Sequence, residues 1–244
     1  FFMQAEVKLQ RGRIEQYSFS EAKGIMDITA TAITFHPQFQ LRYKNTDITL
    51  TGDLQYDGEV NIDAQVNFKD LRDFKDQIFI KEMRGRGKAL VNISGRTEDF
   101  DIRGKFTSDS CYVYQLYSSD AEVDLNIANF LTKQKGQVDV CFLDGEAWGV
   151  DYDSLISRIK IDDQLFRIES ARLQNLYLGL EAWGEMDVSQ TPQTLLIYQM
   201  ALDYRGNRLE SFSPTVVNID TQKVRIRKFF LSGKTGQIDL SGDI

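Results

Sequence analysis

The 244-residue chain has one histidine, two cysteines and three prolines, and each scarcity excludes something. A single histidine, His36, rules out histidine-rich metal sites. A Ser-His-Asp triad would have to use it without the GxSxG elbow that presents the nucleophile in hydrolase folds. Cys111 and Cys141 are not spaced as CxxC, so zinc-ribbon and thioredoxin-type motifs are absent. They read either as a disulfide or as two free, semi-buried thiols. Three prolines and 17 glycines exclude a proline-rich linker and a collagen-like repeat. No apolar run approaches the roughly 20 residues that a bilayer-spanning helix needs. Lys and Arg number 29 against 36 Asp and Glu, a formal charge of −7. That balance lacks the cationic footprint of a nucleic-acid binder, and no nucleic-acid partner is expected.

Enzyme signatures are equally thin. The GKT within Ser232–Gly236 has Lys228 where a phosphate loop requires its first glycine, so the segment reads as a hairpin. Asp151 with Asp153, and Asp162 with Asp163, lack the remaining ligands of a calcium loop and read as solvated turns. Neither catalysis, a cofactor nor a bound metal is expected.

What is present is alternation. Val60, Ile62, Ala64, Val66 and Phe68 recur every second residue with Asn61, Asp63, Gln65 and Asn67 between them, the period of a strand with one apolar face. The same period runs through Phe100, Ile102 and Phe106; Val123, Leu125 and Ile127; Val138, Val140 and Phe142; Leu176, Leu178 and Leu180; and Leu196, Tyr198, Met200, Leu202 and Tyr204. Asp57-Gly58, Asp144-Gly145, Gly206-Asn207 and Gly233–Gly236 supply turn chemistry between runs. The fold class is therefore all-β, a long antiparallel sheet of roughly 15 to 18 strands, about 70 to 85 Å at the usual strand spacing. Short amphipathic helices are expected at 69–77, and less distinctly at 126–133 and 153–159, closing sheet ends.

The chain also repeats itself. ITLTGDL ends at Leu54, LEAWGEM at Met186 and IDLSGDI at Ile244. The last two extend backwards without a gap, from Phe166 and Val224 respectively. The shorter phrases VNISG (Val91–Gly95) and FDIRG (Phe100–Gly104) share the same core. A glycine where the alternation calls for a side chain lets a strand bulge, or lets another backbone come close. Approximate sub-repeats are 1–68, 69–186 and 187–244, forming one solenoid-like segment. FFMQAEVKLQ at the start and SGDI at the finish read as cuts inside a longer strand-rich chain.

The succession NFKDLRDF, GRGKALVNISG, DFDIRGKF, AEVDLNI and LYLGLEAWGEMDVSQTPQTLLIYQM resembles the repeating region of the AsmA-like superfamily, TamB-type. The resemblance covers about Asp47 to Ile244. It implies a curved antiparallel sheet folded into an open U-shaped groove, the β-taco, in the periplasmic part of an inner-membrane-anchored protein. The implied function is passage of phospholipid or another envelope lipid between inner and outer membranes. Implied partners are lipid acyl chains, the remaining parts of the same chain and an outer-membrane β-barrel protein. The residues expected to line such a groove are Val60, Ile62, Val66, Phe68, Leu125, Ile127, Val138, Val140, Phe142, Leu178, Leu180, Leu196, Tyr198, Met200 and Leu202, with Trp148 and Trp183 at its lip. The cationic run Lys81–Lys88 is expected either to meet lipid phosphates near the groove rim or to form a solvated loop or edge-strand guard. Two other readings stand beside this one: a scaffold that pairs its sheet edge with an outer-membrane client strand, and an extracellular β-solenoid or carbohydrate-binding module.

Overall fold

A computed structural model describes residues 1–14, 17–74, 82–219 and 224–243. The described residues form an all-β structure of seventeen strands in two compact units, Phe1–Thr132 and Lys133–Ile244. The unit boundary falls inside the second expected sub-repeat.

In the first unit, β1 (Phe2–Ile14), β2 (Tyr17–Thr29), β3 (Ala32–Tyr43), β4 (Thr46–Gln55), β5 (Glu59–Phe68), β6 (Met83–Arg96), β7 (Asp99–Val113) and β8 (Leu116–Ala128) form a meander, each strand antiparallel to the next. The second unit continues with β9 (Lys135–Ala147), β10 (Val150–Asp162), β11 (Leu165–Gln174), β12 (Leu178–Asp187) and β13 (Gln193–Tyr204). Then β14 (Asn207–Glu210) and β15 (Thr215–Ile219) pair with opposite halves of β13 and act as one interrupted strand, followed by β16 (Val224–Gly233) and β17 (Gly236–Asp243).

Helix is scarcer than expected. Leu71–Phe74 is a single 3-10 turn, and residues 75–77 of that expected helix lie outside the described residues. Asn126–Ala128 instead completes β8, and Asp153–Ile159 lies wholly within β10. In 153–159 the apolar residues fit either period, and ladders to β9 and β11 decide for strand. The Asp144-Gly145 turn is likewise displaced: β9 runs on to Ala147, and the hairpin closes at Trp148-Gly149.

The 3-10 turn seals one strand end of the first unit. Phe74 stacks against Tyr43 (5.3 Å) and Phe68 (5.2 Å), and Phe68 reaches Phe106 at 5.9 Å, so one aromatic chain crosses from β3 to β7. Asp73 is buried, and its carboxylate accepts from the Asn45 amide (3.0 Å) and the Thr46 hydroxyl (3.1 Å). Those bonds staple the turn to the β3–β4 hairpin.

The repeated glycines mark where register slips. In β11 an extra residue sits between Ile168 and Ala171, with Ile168 opposite Gly184 of β12. At the equivalent place β16 slips between Ile226 and Phe229, with Ile226 opposite Gly242 of β17. The third copy follows suit: β3 slips between Phe35 and Phe39, and Phe35 faces Gly52 of β4. His36 and Pro37 lie within that slip, a place where a residue without an N–H is tolerated, and His36 Nε2 lies 2.9 Å from Asp27 Oδ2. The bulged strands bend at these points. The following strand comes correspondingly close, since a Cβ on Gly52 would lie 2.0 Å from the Asn61 carbonyl oxygen and one on Gly184 2.4 Å from that of Leu196.

Gly52, at φ 124°, has both the crowding and the conformation that exclude a side chain. Gly104 lacks the positive φ and is less crowded: an added Cβ would lie 3.2 Å from the Leu90 carbonyl oxygen. Gly52→Ala should cost about 2–4 kcal/mol from combined crowding and positive φ, and Gly104→Ala less than about 1 kcal/mol. Urea midpoints of the two variants, measured side by side, check this difference.

Candidate functional site

Successive residues of a strand point to opposite faces, so registers show which side chains share a face. In the first unit the apolar residues align in rows across the strands: Gly52, Ile62, Ile93, Ile102 and Ile127 in one; Leu50, Ala64, Val91, Gly104 and Leu125 in the next; Ile48, Val66, Ala89, Phe106 and Val123 in a third. Phe39 and Leu41 of β3 prolong the second and third rows. The second unit repeats the arrangement in its own ladder, with Val138, Ile159, Ile168, Gly184 and Ile197 in one row and Phe142, Leu155, Leu173, Leu180 and Leu202 in another.

Thirteen of the fifteen residues expected to line a groove fall on these apolar faces: Val60, Ile62, Val66, Phe68, Leu125 and Ile127 in the first unit, and Val138, Val140, Phe142, Leu178, Leu180, Met200 and Leu202 in the second. Leu196 and Tyr198 do not. The β12–β13 register slips at Trp183/Gly184, leaving Tyr198 as the extra residue, so Leu195 and Ile197 share a face with Met200 and Leu202. Leu196 pairs with Glu185 on the opposite face, and Tyr198 donates to the Glu185 carboxylate, which raises its phenol above the usual range. Leu195 and Ile197 were therefore missed, because Leu195–Tyr198 is apolar in both phases of the alternation. Leu176 also leaves the pattern, standing in the β11–β12 turn.

The apolar faces are not covered like a core. Ile62, Val66, Ile93, Ile102 and Leu125 lie in interior strands, yet each is only half-buried, while Ala89 and Ile127 of the same rows are buried. Fully buried clusters are local, such as Phe19, Ala22 and Phe39, which Val7, Phe35, Leu41 and Leu50 surround.

The opposite faces carry cross-strand charge. Lys105 meets Glu122 (2.6 Å), Arg86 meets Asp109 (2.8 Å), Arg158 meets Asp139 (2.6 Å), Lys160 meets Glu169 (2.5 Å) and Arg172 meets Glu181 (2.5 Å). Arg86 and Lys88 thus lie on the charged face of the interior strand β6, in neither a solvated loop nor an edge strand, and Lys81 lies outside the described residues. Trp183 is half-buried in β12 opposite Gln199, on the charged face, and Trp148 caps the β9–β10 turn. Both cysteines are free: Cys111 is buried, with its thiol pushed up by desolvation, and Cys141 is half-buried. Ser232–Gly236 is the β16–β17 hairpin, with Gly233 paired to Gly236.

Comparison with known proteins adds no relative: no family model, curated protein or solved structure matches the chain.

The charged faces set the response to acid. Hydrogen bonds from Lys69 and then Arg42 hold Asp47 below the usual carboxylate range; Arg158 does the same for Asp139, Arg86 for Asp109 and Lys105 for Glu122. Carboxylates lowered on folding stabilise fully above the unfolded value near 4, and that contribution disappears as pH falls through their folded values. Melting temperature should be flat from pH 7 to about 5 and fall below about 4, and added salt should flatten the profile because exposed pairs are screened. A pH series of thermal melts at two ionic strengths checks both points.

Proposed function

We propose that the chain is a non-enzymatic lipid-binding segment that holds acyl chains against the open apolar faces of its sheet. The observation that carries this reading is the incomplete burial of Ile62, Val66, Ile93, Ile102 and Leu125 in the middle of a ladder whose other face is charged. Contiguous apolar surface beyond a few hundred Å² is rare on soluble monomers and marks a ligand or partner. Acyl chains suit it chemically. Each buried CH₂ contributes about 0.8 kcal/mol, and movement along a uniform floor of Val, Ile, Leu and Phe exchanges one apolar contact for another at little cost. Passage then needs no catalytic group.

The repeat phrases and their resemblance to the AsmA-like superfamily support the same reading. Under it, the faces line a U-shaped groove in a periplasmic, inner-membrane-anchored protein that passes phospholipid or another envelope lipid towards the outer membrane. An outer-membrane β-barrel protein is then a natural partner.

Chain purified without detergent should carry phospholipid detectable by mass spectrometry, and an empty chain would count against the proposal. A diazirine-labelled phospholipid should crosslink to it. Ile62→Glu, Val140→Glu and Leu180→Glu should each lower crosslinking about tenfold or more, because a carboxylate cannot be desolvated cheaply against an acyl chain. Leu196→Lys, on the charged face opposite Glu185, should leave crosslinking unchanged.

A further inference from the structure

The turns of the second unit differ sharply in chemistry between its two ends. At one end lie the β9–β10 turn with Trp148, the β11–β12 turn with Leu176 and Tyr177, the β13–β14 turn with Arg205 and the β16–β17 turn with Lys234. At the other lie the β10–β11 turn with Asp163 and the β12–β13 turn, 188–192. Trp148, Arg205 and Asp163 all adopt positive φ, at 50°, 50° and 58°. Tight hairpins select Asn, Asp or Gly for that conformation, and bulky residues there are strained. Asp163 obeys the rule; Trp148 and Arg205 break it.

Trp148 is 71% exposed. Leu176 is 80% exposed, and it is held out by order: the Asn175 side-chain oxygen accepts from the Tyr177 amide (2.9 Å) and the Leu178 amide (2.8 Å). The first three turns are tied together. Asn175 Nδ2 donates to the Asp151 carbonyl (2.5 Å), and the Arg205 amide donates to the Tyr177 carbonyl (2.9 Å). The Arg205 guanidinium lies 5.4 Å from the ring centroids of both Tyr177 and Tyr204 and has no carboxylate partner among the described residues. The first unit, taken alone, has the same asymmetry: positive-φ turn positions hold Lys44 and Tyr114 at one strand end and Asn129 at the other.

We propose that this row of turns docks on the headgroup layer of a phospholipid bilayer, with Trp148 and Leu176 inserted and Arg205 on a lipid phosphate. Trp, Tyr and Leu beside a free guanidinium match the gradient from headgroup to hydrocarbon. Arginine binds phosphate oxygens through paired donors. Successive hairpins stand about 10 Å apart in a line, which suits an extended flat surface, whereas protein hot spots gather at the centre of a patch. Glu146 and Asp151 flank Trp148, so insertion dominates and anionic lipid strengthens it through the cations of this end, Arg205 and Lys234 of the β16–β17 turn. The proposal stands whether or not the apolar faces carry lipid.

The test is flotation of the full chain with phosphatidylcholine vesicles, with and without phosphatidylglycerol, in a Trp183→Phe background so that Trp148 alone reports. The chain should float with both vesicle types, Trp148 emission should shift to the blue, and brominated lipid should quench it. Trp148→Asn should weaken flotation about tenfold or more while raising the melting temperature, because asparagine suits the turn. Leu176→Ser should weaken flotation similarly, and Arg205→Gln should reduce the gain from phosphatidylglycerol while leaving flotation on phosphatidylcholine unchanged. A chain that does not float, Trp148 emission unmoved by vesicles, or flotation that survives Trp148→Asn and Leu176→Ser overturns the proposal. That last result would assign membrane binding to the apolar faces instead.

Discussion

Side-chain parity in register is the constraint on which the remaining features depend. Each strand sends alternate residues to opposite sides, and the antiparallel ladders keep that phase across five or more strands, as in the row Gly52, Ile62, Ile93, Ile102 and Ile127. One slip of a single residue would turn every apolar side chain beyond it into the charged face. The ladders do contain slips, and in each of these units they are placed so that the apolar phase resumes after the extra residue. Ile168 and Ala171, and Ile226 and Phe229, stay on one face although each pair is three positions apart, an odd offset.

The glycine phrases make those slips possible. A bulge bends its strand towards or away from its neighbours, and the neighbour must then yield space. Gly52 and Gly184 yield it in the same way, each leaving room for the carbonyl one residue before its partner on the next strand. The repeat is therefore physical as well as textual. It is a unit of bulge, glycine and close strand, and it keeps an apolar surface continuous while the sheet bends.

A sheet with one greasy face ordinarily acquires a second layer. Here the charged face is fastened by cross-strand pairs such as Arg158–Asp139 and Lys105–Glu122, each worth little in water but together assigning that side to solvent. The greasy face holds small buried clusters, such as the one around Phe39, and a plug where Phe74 meets Phe68. Between them the rows are half-buried. The backbone ladders and local clusters hold the fold.

Composition and alternation by themselves determined the all-β class, the polarity of the faces and the positions of the repeated glycines, because a period of two and the demands of a missing side chain are local properties. They also placed Val60–Phe68 and Leu125–Ile127 on a common face with Val138–Phe142 on its counterpart, since no bulge interrupts those segments. Only the tertiary pairing decided the rest. Leu196 and Tyr198 lie on the charged face because an extra residue in β13 shifts the phase, and the segment Leu195–Tyr198 is apolar in either phase. The β9–β10 hairpin closes at Trp148-Gly149 instead of Asp144-Gly145 because the long ladder with β10 continues to Ala147. Asp153–Ile159 is strand because two neighbours claim its amides. Local chemistry proposes faces and turns; the summed hydrogen bonds of a ladder choose the register, and the register decides which side of the sheet each residue serves.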